Sequence, residues 1–162
     1  MSLFENDLYQ WRETYFVLYE QSTRPQAAAV VAALKKQDAH YEISNLVADD
    51  DGQLESMTLR SPEDSSAMDI TFVTGEEVTE QRDEMLNTIA KSTLREGDRE
   101  KLNFLGECDS RFDIYHFEEA SFVGGDEDGD DPLDPGALLL VMDCLAKLCR
   151  GVGVDPQSSS LM

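Results

Sequence analysis

The chain has 162 residues with 34 acidic against 13 basic side chains, a formal net charge of −21. A surface this negative repels phosphates, which argues against nucleic acids and anionic membranes as partners and leaves basic proteins, cations and neutral molecules. Hydrophobic residues make up 41%, so the acidity does not denote a disordered tail, and the length suits a single domain over residues 1–162 with a core of its own.

Met1 to Gln10 carries Glu5 and Asp7, no basic residue and no long apolar run, unlike a signal peptide, and no stretch is apolar enough to span a bilayer. Cys108, Cys144 and Cys149 are odd in number and form no C-x-x-C pair, so neither a disulfide framework nor a zinc knuckle is indicated. The expected location is a reducing cytoplasm.

Leu3, Phe4, Leu8 and Trp11 fall near helical spacing, which predicts a short amphipathic segment over 1–12 that docks through Trp11. The run Tyr15 to Tyr19 is continuously apolar and aromatic, as in a strand buried on both faces. Thr23 before Arg24-Pro25 signals a helix start, and Ala27, Val30, Val31 and Leu34 form one apolar stripe ending near Lys36. Two strand-like runs follow, Tyr41 to Ala48 and Gln53 to Arg60. Asp49-Asp50-Asp51-Gly52 joins them, with Asp-Gly supplying the positive φ of a hairpin. Met68 to Phe72 alternates as a strand with one wet face.

Thr74 and Glu77 have capping-box spacing at the head of a helix whose apolar face is Val78, Met85, Leu86 and Ile89. Asp98 to Leu105 reads as a short helix closed by Gly106. Arg111 to Phe117 reads as a strand with Phe112 and Ile114 on one face. An acidic loop over 124–134 leads to a last helix, capped by Asp134 with Pro135 in its first turn and ended by a left-handed Gly151. Its inner stripe is Ala137, Val141, Cys144, Leu145 and Leu148. Leu138, Leu139, Leu140 and Met142 make it apolar nearly all round, as in a helix deeply packed or covered by another subunit. Val152 and Val154 offer a final strand.

The resulting order, β-α-β-β-β-α-β-α-β, indicates an α+β fold: a mainly antiparallel sheet with helices packed on one face, ferredoxin-like or related.

Asp126, Asp128 and Asp130 fit positions one, three and five of a calcium loop. Position six is Asp131, where the turn needs glycine, and position twelve is Ala137, where a bidentate Glu is required. Those three aspartates are the metal candidates, with a solvated acidic loop the favoured reading over Ca2+ binding. His116 lies on the Phe112 and Ile114 face, and Asp113, on the other face, cannot orient it. Cys108 with His116 as its base is the one nucleophile pairing in view, and its spacing does not demand catalysis. G-x-S-x-G, H-E-x-x-H and G-x-G-x-x-G are all missing from the sequence. No catalytic residue and no cofactor is therefore assigned.

Met1 to Tyr19 (MSLFENDLYQWRETYFVLY), Ala67 to Gln81 (AMDITFVTGEEVTEQ) and Asp134 to Met162 resemble stretches of an uncharacterised bacterial protein family. The resemblance implies no activity, cofactor or site residue. The last helix with Gly151 to Pro156 is also similar to the tails of some bacterial toxin-immunity domains.

The residues favour a non-enzymatic cytoplasmic protein-interaction domain that binds a partner or itself. A special case is an acidic inhibitor of a basic enzyme, in which the charge steers association. A reading from another class is a carboxylate-dependent metal enzyme built on Asp126 to Asp134.

Overall fold

A computed structural model of the chain describes residues 9–90, 96–119, 136–156 and 160–161. Its elements are β1 (Tyr9–Tyr19), α1 (Ala27–Gln37), β2 (Glu42–Ala48), β3 (Leu54–Ser61), β4 (Ser66–Thr74), α2 (Glu76–Ala90), α3 (Asp98–Leu105), β5 (Ser110–Glu119), α4 (Gly136–Cys149), β6 (Val152–Asp155) and β7 (Ser160–Leu161). The fold is α+β, with one sheet in the order β2-β3-β4-β5-β1-β6-β7 and every pairing antiparallel. β5 and β6 therefore run in the same direction on either side of β1. This ladder does not confirm the ferredoxin-like arrangement expected from the sequence.

β1 is the interior strand that the apolar run Tyr15 to Tyr19 predicts. Tyr15, Val17 and Tyr19 face one way, in register with Ile114 and Phe112 of β5, and join Met57, Leu59, Met68 and Ile70 in the main core. α1 and α4 close this face through Ala27, Val30, Leu34, Leu138, Val141 and Leu145. Phe16 and Leu18 face the other way into a second cluster with Met85 and Leu86 of α2 and Leu102 and Leu105 of α3. Helices thus cover both faces, which corrects the one-face expectation. The physical reason lies in the second half of β1: a strand that is apolar at every position from Tyr15 to Tyr19 needs a cover on each side.

Other expectations also change. Tyr9 to Trp11 belong to β1, paired with Glu119 to Phe117, so the amphipathic segment expected over 1–12 is strand from Tyr9 onward. Trp11 is 43% exposed and its indole N–H donates to Thr14 Oγ1 at 3.2 Å instead of docking in the core. β4 is not wet on one face, because Asp69 is buried and its carboxylate accepts a hydrogen bond from Thr58 at 2.7 Å. α1 begins at Ala27, two residues after Pro25, and the Thr23 hydroxyl bonds outside the helix, to the Glu20 carbonyl at 2.8 Å. The capping box does not form: Gly75, at φ +113°, opens α2, and the Thr74 hydroxyl donates to the Asp109 carbonyl at 3.1 Å.

The Asp-Gly hairpin is present between β2 and β3. Asp49 Oδ1 accepts from the amides of Asp51 and Gln53 at 3.0 and 2.9 Å, and Gly52 has φ +81°. Arg24 fastens this turn to the body. It pairs with Asp49 at 2.9 Å, donates to the Leu54 carbonyl at 2.8 Å and stacks over Phe72 at 3.7 Å.

α4 ends in a Schellman turn, in which the Gly151 amide donates to the Ala146 carbonyl at 2.8 Å. The left-handed residue is Arg150, at φ +53°, and not Gly151 as expected. Gly151 is required for space: a Cβ there would stand 2.5 Å from the Leu18 carbonyl oxygen and 3.1 Å from Cys149 Sγ. The two positions should respond oppositely in urea denaturation. Arg150→Gly relieves left-handed strain and should raise stability by up to about 1 kcal/mol. Gly151→Ala drives a methyl into β1 backbone and should cost roughly 1–3 kcal/mol.

Candidate functional site: an apolar groove beside the last helix

Among the described residues the exposed large hydrophobics are Trp11, Leu46, Val47, Leu139 and Leu140. Two of them adjoin on α4, Leu139 at 43% and Leu140 at 53% exposure. The buried stripe of this helix is Ala137, Leu138, Val141, Met142, Leu145 and Cys149, while the expected inner residues Cys144 and Leu148 are only half-buried. The helix is therefore turned so that Leu139 and Leu140 are left outside.

Leu139, Met142, Asp143 and Ala146 stand at i, i+3, i+4 and i+7 and form one wall of a groove of about 180 Å³. Gly153 of β6 forms the opposite wall. Gly153 pairs with Val17 and so presents no side chain on the face where α4 packs. At this point of the groove β6 contributes backbone alone. Asp143 stands at its rim in an i,i+4 ion pair with Lys147 at 2.8 Å, both largely exposed, a pairing that adds little stability.

A second exposed apolar pair lies on β2, an outer strand of the sheet. Leu46 and Val47 sit where the β2–β3 register breaks, between Ser44 and Val47, beside Asn45 at φ +51°. Such a bulge turns an edge away from strand addition.

The polar groups considered for chemistry are placed elsewhere. His116 is fully buried on the main-core side, on the face it was expected to share with Phe112 and Ile114. Its Nε2 lies 2.8 Å from Ser66 Oγ, and Nδ1 lies 3.9 Å from Glu13 Oε1 without a hydrogen-bond partner. Burial lowers the imidazole pKa, with Glu13 opposing and Arg12 assisting. The Ser-His-Glu order has the outline of a nucleophilic site, yet Ser66 is 1% exposed and offers a substrate no surface. Glu13 meets His116 across a bulge in β1, and Ser66 lies two residues along β4 from Met68, the register partner of His116. Neither neighbour could be found without the register.

Cys108 is not brought to His116. It packs with Leu18, Leu105 and Val154 on the other side of the sheet. Ser110 to His116 alone spans about 20 Å along β5. Burial pushes the Cys108 and Cys149 thiols up to about 12, so both stay neutral and unreactive at pH 7. Asp113 is held by Arg111 at 2.6 Å on the opposite face from His116, as expected, and burial raises its pKa despite that partner. Asp126, Asp128 and Asp130, with the rest of the acidic loop, lie outside the described residues. Among the described residues no helix is long and apolar enough to cross a membrane.

No family model, curated protein or solved structure matches this chain.

The buried imidazole has a measurable consequence. Its folded pKa lies below the ordinary value of about 6.5, so as pH falls through that value the unfolded chain takes up a proton that the folded chain refuses. Stability is therefore lost on the acid side. Urea denaturation of the wild type and His116→Gln between pH 7.5 and 5.5 should show the wild type losing up to about 1.4 kcal/mol per pH unit more than the variant below pH ~6.5. Parallel pH profiles would mean His116 titrates freely in the folded protein.

Proposed function

We propose that this chain is a non-enzymatic protein-interaction domain whose groove between α4 and β6 seats an amphipathic, basic segment of another protein. The observation that carries the reading is the exposure of Leu139 in the groove that it lines with Gly153, with Leu140 exposed next to it in sequence. Contiguous exposed apolar surface on a water-soluble body marks an interaction site more often than scattered single residues do. The thiols and the imidazole described above support the same reading, since they serve packing.

Charge selects the occupant. Two bodies of −21 repel one another, which disfavours self-association through a groove rimmed by Asp143. A basic partner is steered toward the chain by its overall charge, and its apolar side chains enter the groove. An acidic inhibitor of a basic enzyme is one form of this relationship, and the likeness of the tail to toxin-immunity domains agrees with it. The reading implies no cofactor, and a cytoplasmic setting suits the three free thiols.

A photocrosslinking amino acid at Leu139, in cells that produce the protein natively, tests this. It should capture a basic protein, with a yield that falls at high salt and falls further with Gly153→Leu. The same crosslinker at Val47 should capture little. Self-capture at Leu139, or capture at Val47 alone, would overturn the reading in favour of a homodimer or of strand addition at β2.

A further inference from the structure

Two surface turns far apart in sequence bring an imidazole and two carboxylates together. Asp38 ends α1, His40 lies in the turn to β2, and Glu63 lies in the short 3-10 turn Pro62–Asp64 between β3 and β4. His40 Nδ1 stands 3.3 Å from Asp38 Oδ1 and 3.5 Å from Glu63 Oε1. One ligand atom from each of the three residues falls within 4.8 Å of the other two.

We propose that Asp38, His40 and Glu63 form a binding site for a divalent transition metal, with Zn2+ the best fit. In a tetrahedral zinc site with bonds of 2.0–2.1 Å, neighbouring ligand atoms are about 3.3–3.4 Å apart. The two edges around Nδ1 lie close to that spacing, and the third, between the carboxylate oxygens of Asp38 and Glu63, is within 4.8 Å, a gap that rotation of the exposed Glu63 side chain can close. The donor set also discriminates. Calcium and magnesium prefer oxygen-only shells of six or more ligands, whereas one imidazole with two carboxylates suits Zn2+ and its first-row neighbours. The two carboxylates balance the charge of the cation, and the fourth position is left to water.

Asp38 is positioned for this role. Its Oδ1 also accepts the His40 backbone amide at 2.8 Å, which fixes the carboxylate before an ion arrives. His40 and Glu63 are exposed at 74% and 63%, so a hydrated cation reaches both directly. The overall charge of −21 raises the local concentration of cations. The site shares no residue with the groove at α4, and a bound ion would tie the α1–β2 turn to the β3–β4 turn.

Zn2+ titrated into the full chain by calorimetry tests the proposal. One equivalent should bind the wild type, and His40→Ala and Glu63→Gln should each weaken it at least about tenfold, since losing a ligand costs no less than losing an outer-shell partner. Zn2+ should also raise the melting temperature of the wild type and leave that of His40→Ala unchanged. Both variants alter exposed side chains, so loss of binding would not reflect loss of fold. Equal binding by wild type and His40→Ala would overturn the site and place the ion on other carboxylates. No binding by the wild type, or Ca2+ binding as tight as that of Zn2+ and lost equally in His40→Ala, would overturn it as well.

Discussion

The structure depends on burying β1 from both sides. Val17 and Tyr19 are fully buried under α1 and α4, while Leu18, between them, is fully buried toward α2 and α3. Each such side chain contributes roughly 1.5–3 kcal/mol relative to exposure, so neither helical layer can be removed without exposing half the strand. Because β5 and β6 flank β1, the same burial fixes β6, and β6 carries Gly153 beneath α4. The groove follows from the way the core is closed: an apolar helix laid over a short strand that has no side chain at the point of crossing.

This arrangement separates packing chemistry from surface chemistry. The groups with the greatest intrinsic reactivity are sequestered. His116 sits in the core beside Ser66, and Cys108 and Cys149 are buried with raised pKa values. Among the described residues, what reaches the surface is mostly charge, a small amount of apolar area and the imidazole of His40. On a body of net charge −21, exposed apolar area is met more favourably by a basic surface than by a like-charged copy, which is the basis of the proposed function. The Asp38–His40–Glu63 cluster is the surface counterpart of the buried histidine, with the same residue type in water and flanked by carboxylates that could hold a cation.

Where local pattern and tertiary environment agree, the sequence was readable. The unbroken apolar run at Tyr15 to Tyr19 announces an interior strand, and Asp-Gly at 51–52 announces the hairpin. The i, i+3, i+4, i+7 stripe at Ala27 to Leu34 announces the first helix. The second helical layer was harder to see because α2 and α3 are mostly polar and bury only a few apolar residues each. A one-faced sheet was therefore the simpler expectation. Arg150 adopting the left-handed turn was also hidden, since it follows from Gly151 being claimed by the approach of Leu18.

The functional features were less legible because each is a product of register or convergence. The groove needs Gly153 opposite Val17 and α4 above it, which no local window contains. The neighbours of His116 come from the two strands on either side of it, one of them bulged. Asp38, His40 and Glu63 come from turns on either side of the β2–β3 hairpin, and nothing in their spacing resembles a metal motif. Surplus apolar residues on the last helix were visible in advance as an interface candidate beside the Leu3, Phe4, Leu8 and Trp11 segment, and the pattern left open which side of the helix would remain exposed.

Native-state hydrogen exchange, resolved to single amides, tests most directly the claim that double-sided burial of β1 holds the groove open and preformed. Amides of β1 from Phe16 to Leu18, of β5 near Phe112, and of β6 at Val152 and Val154 should exchange only through global unfolding. Those of the outer strand β2 should exchange through local opening. If β6 exchanges as freely as β2 while β3 and β4 stay protected, β1 does not secure β6, and the groove beside α4 is not a fixed feature of the fold.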